Sequence, residues 1–139
     1  MRVVLDTNVA VAGLLWRGTP SELLGHAIEG RLQCFASAPL IEELERVLGY
    51  DKLAGRVASL NTTIADLVAD YLELVELVAL ADITPAVSAD PDDDALLATA
   101  LSADAHMIVS GDAHLLNLKH YQGIAIVTAA KCLQRLQAQ

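Results

Sequence analysis

The sequence predicts an α/β fold in which helices flank a mostly parallel sheet. Short apolar runs rich in β-branched residues alternate along the chain with longer segments whose apolar residues recur at helical spacing. Gly, Pro, Ser and Thr stand at most of the boundaries, where turns and helix caps are expected. Strands that alternate with helices pair in parallel, because each helix returns the chain to the same end of the sheet.

The predicted elements follow one another without a repeat or a linker, so we expect a single domain over residues 1–139. Strands are predicted at 2–5, 34–36, 78–80, 107–109 and 124–127. Helices are predicted over about 9–15, 20–30, 39–48, 51–57, 63–75, 90–103, 114–118 and 129–136. Thr19 is expected to cap the second helix, and Asn61 or Thr62 the fifth.

Composition excludes several classes of protein. A hydrophobic content of 54% is enough to bury a full core, which argues against disorder. No apolar run reaches the ~18 residues that a membrane span needs. The chain turns acidic at Asp6, too early for a signal peptide, so we expect a cytoplasmic protein. Cys34 and Cys132 have no partner at zinc-ligand spacing and are expected to be buried free thiols.

Two aspartates directly follow predicted strands. Asp6 comes after the first strand, and Asp112 comes just after the strand at 107–109. Functional groups of open α/β sheets collect at the carboxyl ends of the strands, so both side chains are expected at one edge. Helical spacing places Glu43 at the border of a buried stripe and turns Asp93 inward, whereas Asp92 and Asp94 should point away.

Each of these acids also has an ordinary explanation as a helix cap, a charged first turn or a solvated face. Their conjunction at one sheet edge indicates a site for a divalent cation, which would offset the repulsion between the carboxylates. Oxygen ligands suit Mg²⁺ or Mn²⁺, and no His or Cys stands at the strand ends to favour zinc. The net charge of −9 fits acids gathered around a cation, or a surface covered by a basic partner.

Four segments of the chain resemble the motifs of PIN-domain ribonucleases, in the order of that family, and they span nearly the whole sequence. They are Val3–Val9, Ser37–Leu48, Asp90–Leu101 and Ala103–Leu116. The resemblance implies a three-layer α/β/α fold and a Mg²⁺- or Mn²⁺-dependent endoribonuclease. The acids of the family correspond to Asp6, Glu43, Asp93 and Asp112, with Asp94 as the alternative to Asp93.

The same resemblance assigns secondary roles and partners. Asn8 and Ser110 match polar residues that orient the acids or a water molecule, and Thr7 is an alternative cap for the first helix. The most similar branch comprises VapC-related toxins of toxin–antitoxin pairs. We therefore expect an RNA substrate, an antitoxin protein, a homodimer and no membrane association.

Basic residues that could hold RNA are few. Arg17, Arg46, Lys52, Arg56 and Lys119 lie in segments that could rim the site. This scarcity keeps open a second hypothesis, a PIN-fold module with weak catalysis that acts through a protein partner. Phospho-acceptor receivers and haloacid-type phosphatases also place an Asp after the first strand, but Asn8 and the absence of their other acids leave both patterns incomplete.

Overall fold

One sheet organises the chain in the computed structural model, which describes the backbone of residues 1–80 and 91–139 and the side chains of 1–80 and 93–139. The strands in these ranges are β1 Arg2–Leu5, β2 Gln33–Ala36, β3 Val75–Leu77, β4 Met107–Val109, β5 His120–Tyr121 and β6 Ile124–Val127. Their order across the sheet is β3-β2-β1-β4-β6-β5. All neighbouring pairs are parallel except β5 with β6, so the predicted mostly parallel α/β fold is confirmed.

Helices occupy the predicted segments between the strands. Those in the described part of the chain are α1 Thr7–Leu15, α2 Thr19–Ile28, α3 Ala38–Leu48, α4 Asp51–Ser59, α5 Ile64–Leu74, α6 Pro91–Ser102, α7 Ala113–Leu118 and α8 Ala129–Gln137. None of them is long and apolar enough to cross a membrane. Asp90, the first residue of the third motif segment, lies outside the described residues.

The two faces of the sheet bury different cores, because successive side chains of a strand point to opposite sides. Val3 and Leu5 face a core built with α1, α2, α4, α5 and α8. Val4 and Ile108 face a second core built largely with α6 and α7. Cys34 and Cys132 lie in the first core as buried free thiols, as predicted.

Helix α3 contributes to both cores. Leu40, in its first turn, packs with the α6 side of the sheet, whereas Leu44 and Leu48 pack with the α1 side. The helix begins directly after β2, so it passes from one face to the other at the carboxyl end of that strand. Glu43, between these two groups of leucines, lies at the crossing.

Two strand predictions were wrong or incomplete. The third strand is Val75–Leu77 and not 78–80, because it follows α5 at once and no turn residue marks the change. The backbone N–H of Val78 still donates to Ala36 O at 2.9 Å, so pairing with β2 continues just past the strand. The two-residue β5 was not predicted, since His120 and Tyr121 form no recognisable apolar run.

Two helix caps also differ from the predictions. Gly18, with φ 149°, precedes α2, and Thr19 is already helical. Thr63 caps α5 through a hydrogen bond from Asp66 N to its hydroxyl at 3.1 Å. Asn61 instead adopts φ 54° just after α4, a left-handed conformation that Asn tolerates better than most residues. The predicted cap, Asn61 or Thr62, is therefore wrong by one or two residues.

Candidate functional site

Asp6 connects the first strand to the first helix. Its backbone N–H continues the sheet by donating to Val109 O at 2.8 Å. Its side chain caps α1, because Oδ1 accepts a hydrogen bond from Thr7 N at 2.8 Å. The alternative in which Thr7 caps the helix is therefore wrong. The carboxylate therefore lies at the positive end of the α1 dipole, a position that acidic side chains commonly occupy.

Ser110 joins the two aspartates that follow strands. Its hydroxyl donates to Asp6 Oδ2 at 2.8 Å and accepts from Asp112 N at 3.0 Å. Ser110 is 1% exposed, so water does not compete freely for these bonds. The hydroxyl therefore fixes the direction of the Asp6 carboxylate and the position of the backbone at Asp112.

Asp112 caps α7 in the way that Asp6 caps α1. Its Oδ1 accepts from His114 N at 2.8 Å. Among the described residues, Oδ2 of Asp112 has no protein hydrogen-bond partner. Both aspartates thus have the ordinary role of a helix cap, and this role aims their carboxylates at the same sheet edge.

This edge is the switch point of the sheet. From β1 the chain continues to β2 and β3 on one side, and then returns to β4 on the other side. Asp6 follows β1 and Ser110 follows β4, so both lie where the sheet order changes direction. In open α/β sheets, ligands usually bind at such a switch point, outside the carboxyl ends of the strands.

Glu43 is the most buried of the proposed acids in the described residues. It is 9% exposed on α3, which confirms that it borders the buried stripe. Its Oε2 lies 3.9 Å from Nη2 of Arg46, one turn later. This guanidinium offsets part of the charge of a carboxylate that is otherwise costly to bury.

The remaining predicted site residues lie in the first turns of two helices. Asn8 is exposed in the first turn of α1. Asp93 and Asp94 are both half-buried at the start of α6, so the expectation that Asp94 points away is not supported and burial does not separate the two. The side chain of Asp92 lies outside the described residues.

The described side chains do not form a ready-made metal cage. In residues 1–80 and 93–139, no three His, Cys, Asp or Glu side chains are spaced to hold a metal ion. The side chains at the switch point still fit Mg²⁺ or Mn²⁺, because the carboxylates of Asp6 and Asp112 offer hard oxygen ligands. Ser110 contacts both residues and connects them. Mg²⁺ typically binds one or two carboxylates and keeps several waters. The four-acid site remains a prediction.

The basic residues expected to rim the site have different surroundings. Arg46 lies beside Glu43. Arg56 donates from Nε to Leu15 O at 2.7 Å, at the end of α1 opposite Asp6. Lys52 lies over the ring of Tyr50. Lys119 and Arg17 are exposed. Of these, the described contacts place only Arg46 next to a proposed acid.

Sequence reasoning missed a buried hydrogen bond between the helices that carry Glu43 and Asp93. Ser37 precedes α3 but makes no side-chain bond to that helix. Its hydroxyl lies 2.7 Å from Thr99 Oγ1, and Thr99 donates to Ala95 O at 2.7 Å. Ser37 and Thr99 are 1% and 0% exposed. Nothing in the sequence links Ser37 to Thr99, and the packing of α3 on α6 reveals the contact.

Comparison with known proteins places these features in context. A family model described as PIN domain matches residues 2–114. A solved structure of VapBC2 from Rickettsia felis, bound to a DNA fragment from their promoter, matches with a TM-score of 0.57 and 14% identity. The match covers 91% of this chain and 97% of the other, and at this identity it shows a shared fold. A search of curated proteins found no significant match.

Proposed function

The chain belongs to the PIN domain family, and from that premise we propose that it is a Mg²⁺- or Mn²⁺-dependent endoribonuclease, the toxin of a toxin–antitoxin pair. PIN domains are generally nucleases, and PIN nucleases generally use divalent metals. The observation that carries the proposal is the Asp6–Ser110–Asp112 connection at the switch point of the sheet.

The residues of the site have separable roles in this proposal. Asp6, Glu43, Asp93 and Asp112 would hold the cation, and Ser110 keeps the Asp6 carboxylate turned toward it. When bound, such an ion supplies Lewis acidity toward the phosphodiester. Hydrolysis then joins a water oxygen to phosphorus in line with the departing ribose oxygen. Asn8, exposed in the first turn of α1, is suited to hold that water or a phosphate oxygen through its amide.

The test compares RNA cleavage by the wild type and by Asp6→Asn, with Mg²⁺, with Mn²⁺ and with excess EDTA. Asp104→Asn is the matched control, because Asp104 is exposed, precedes β4 and has φ 52°, which Asn tolerates. We expect metal-dependent cleavage by the wild type and by the control, and a loss of at least about 100-fold for Asp6→Asn. Equal cleavage by all three proteins would exclude this site.

The proposed partner is an antitoxin with basic side chains. The structural neighbour is a VapBC2 assembly bound to promoter DNA, and the net charge of −9 in this chain suits a positively charged partner. Co-expression with the product of the adjacent reading frame should yield a stable complex without RNase activity. A homodimer in the cytoplasm is part of the same proposal, and light scattering on the free protein would test the stoichiometry.

A second function is favoured by the lack of a three-ligand group among the described residues. In that alternative, the chain is a PIN-fold binding module that acts through a protein partner and catalyses weakly. Calorimetry distinguishes the two functions. If the free protein does not bind Mn²⁺ but binds the product of the adjacent reading frame tightly, the binding-module function is supported.

A further inference from the structure

Two exposed aromatic rings each have a cation over them, one at the end of α1 that is remote from Asp6 and one at the start of α4. Trp16 is 44% exposed, and Cζ of Arg56 is 5.7 Å from the centre of its ring. Tyr50 is 43% exposed, and Nζ of Lys52 is 5.9 Å from the centre of its ring. Together with the exposed Arg17, these residues form what we call the aromatic–basic surface.

Helix α4 brings the two cations together. Lys52 and Arg56 are four residues apart, so they lie on the same side of α4 and about 6 Å apart along its axis. Arg56 is also anchored, since its Nε donates to Leu15 O at 2.7 Å. This bond uses one of the five guanidinium donors and holds the group against Trp16 before any ligand arrives.

The local charge is opposite to that of the whole chain. Residues 16–17 and 50–56 contain three of the nine Lys and Arg residues but only one of the eighteen Asp and Glu residues. A positive segment in a chain of net charge −9 attracts a polyanion where the rest of the surface repels it. Aromatic rings beside cations suit single-stranded nucleic acid, because bases stack on the rings while phosphates meet the cations.

We propose that the aromatic–basic surface binds single-stranded RNA away from the cleavage site. Trp16 and Tyr50 stack unpaired bases, and Arg17, Lys52 and Arg56 contact the adjacent phosphates. Trp16 follows Asp6 by ten positions of mostly helical chain, which corresponds to about 15 Å along α1. The surface thus contacts nucleotides several positions from the scissile bond. The choice of RNA as the ligand rests on the proposed function.

The single tryptophan of the chain makes the proposal directly measurable. In the experiment, a 12-nucleotide single-stranded RNA is titrated into wild-type protein in EDTA at low salt, and tryptophan emission is recorded. Stacking of a base on Trp16 should quench this emission. A duplex of the same sequence keeps its bases paired and should quench far less. Because EDTA prevents metal-dependent cleavage, the readout does not need an active enzyme.

Two charge reversals provide the matched comparison. Lys52→Glu changes the aromatic–basic surface, and Lys131→Glu makes the same change at an exposed position on α8. We expect Lys52→Glu to weaken binding about tenfold and to lower the salt dependence, and Lys131→Glu to behave like the wild type. Neither change removes a described hydrogen bond of the side chain, so both proteins should fold.

The outcomes separate this inference from the proposed function. If single-stranded RNA quenches tryptophan emission and Lys52→Glu weakens this quenching, RNA binding at the aromatic–basic surface is supported, even if no RNA is ever cleaved. Metal-dependent cleavage with no change in tryptophan emission overturns the surface and leaves the nuclease standing. Equal weakening by Lys52→Glu and Lys131→Glu would also overturn it, because binding would then depend only on overall charge.

Discussion

The hydroxyl of Ser110 holds two groups of the site at once, the Asp6 carboxylate and the backbone N–H of Asp112. We predict that Ser110→Ala lowers RNA cleavage strongly, because the carboxylate loses the bond that sets its direction. The variant should also lose about 1–3 kcal/mol of folding free energy, since buried polar groups are left without this partner.

Ser110→Thr is the conservative comparison, since it keeps a hydroxyl on the same carbon. Compared with Ser110→Ala, Ser110→Thr should restore the cleavage rate more fully than the folding free energy. The added methyl group must fit at a position where the serine is 1% exposed, which costs stability. Cleavage rates and urea denaturation, measured on both variants, separate the two effects. Wild-type rates in Ser110→Ala would show that the Asp6 orientation does not matter for catalysis.

Helix α3 is connected to α6 by the buried Ser37–Thr99 hydrogen bond, and these helices carry Glu43 and Asp93. Because Ser37 makes no side-chain bond to its own helix, Ser37→Ala should not weaken the start of α3 through lost capping. We predict instead a loss of about 1–2 kcal/mol and reduced Mn²⁺ affinity, as the spacing of the two acids loosens.

Thr99→Ser keeps the hydroxyl and should retain the Mn²⁺ affinity of the wild type. Thr99→Val lacks the hydroxyl and should bind Mn²⁺ more weakly. Melting temperatures measured alongside metal titrations would show whether the two effects separate. If Thr99→Val lowers stability and leaves metal affinity unchanged, the bond has only a structural role.

Close packing of α1 on α2 depends on Gly13. A Cβ at this position would lie 2.8 Å from Leu24 Cδ1 and 3.0 Å from the carbonyl oxygen of Pro20. Gly13→Ala should therefore destabilise the protein by about 1–3 kcal/mol in spite of the higher helix propensity of Ala.

Gly25 in α2 is the control, because a Cβ there meets nothing within 4 Å. Gly25→Ala should stabilise the protein by up to about 1 kcal/mol. Thermal unfolding of both variants tests the packing. A gain in stability for Gly13→Ala would mean that the two helices are not held this closely.

Elements were predictable from sequence where the chemistry is local. β1 and β6 are buried on both faces and form continuous apolar runs, so their ends were identified correctly. β3 was misplaced because Val75 continues the apolar spacing of α5 and no turn residue separates helix from strand. Strand identity there comes from pairing with β2, which is a tertiary contact.

In the site, too, features set by local sequence were predictable and features set by tertiary contacts were not. Asp6 and Asp112 could be placed at one edge because each follows a parallel strand. The serine between them was assigned only by resemblance, and its hydrogen bond to Asp6 requires the register of β1 with β4. The Ser37–Thr99 bond spans 62 residues and has no sequence signature.

At the scale of the whole molecule, the buried thiols make folding sensitive to alkali. Burial raises the pKa of Cys34 from 9.0 to about 12 and that of Cys132 from 9.0 to about 11. Above pH 9 the unfolded chain loses these protons first, so stability is complete below pH 9 and falls as the pH rises toward 11–12. The loss is at most about 1.4 kcal/mol per pH unit for each thiol.

Urea denaturation between pH 7.5 and 10.5 measures this slope. Cys34→Ala should make it shallower, since one of the two thiols no longer contributes, whatever the variant loses in absolute stability. Parallel slopes for the wild type and the variant would show that Cys34 ionises as readily in the folded protein as in the unfolded chain.

The proposed nuclease activity depends on one divalent-metal site at the sheet edge. Calorimetric titration of Mn²⁺ tests it most directly, on the wild type and on Asp6→Asn, Glu43→Gln, Asp93→Asn and Asp112→Asn, with Asp94→Asn and Asp104→Asn beside them. We predict that each of the four changes weakens Mn²⁺ binding at least about tenfold, the cost of losing one ligand, and that Asp94→Asn and Asp104→Asn bind as the wild type does. Mn²⁺ affinity that none of the four substitutions lowers would contradict a metal site formed by these acids.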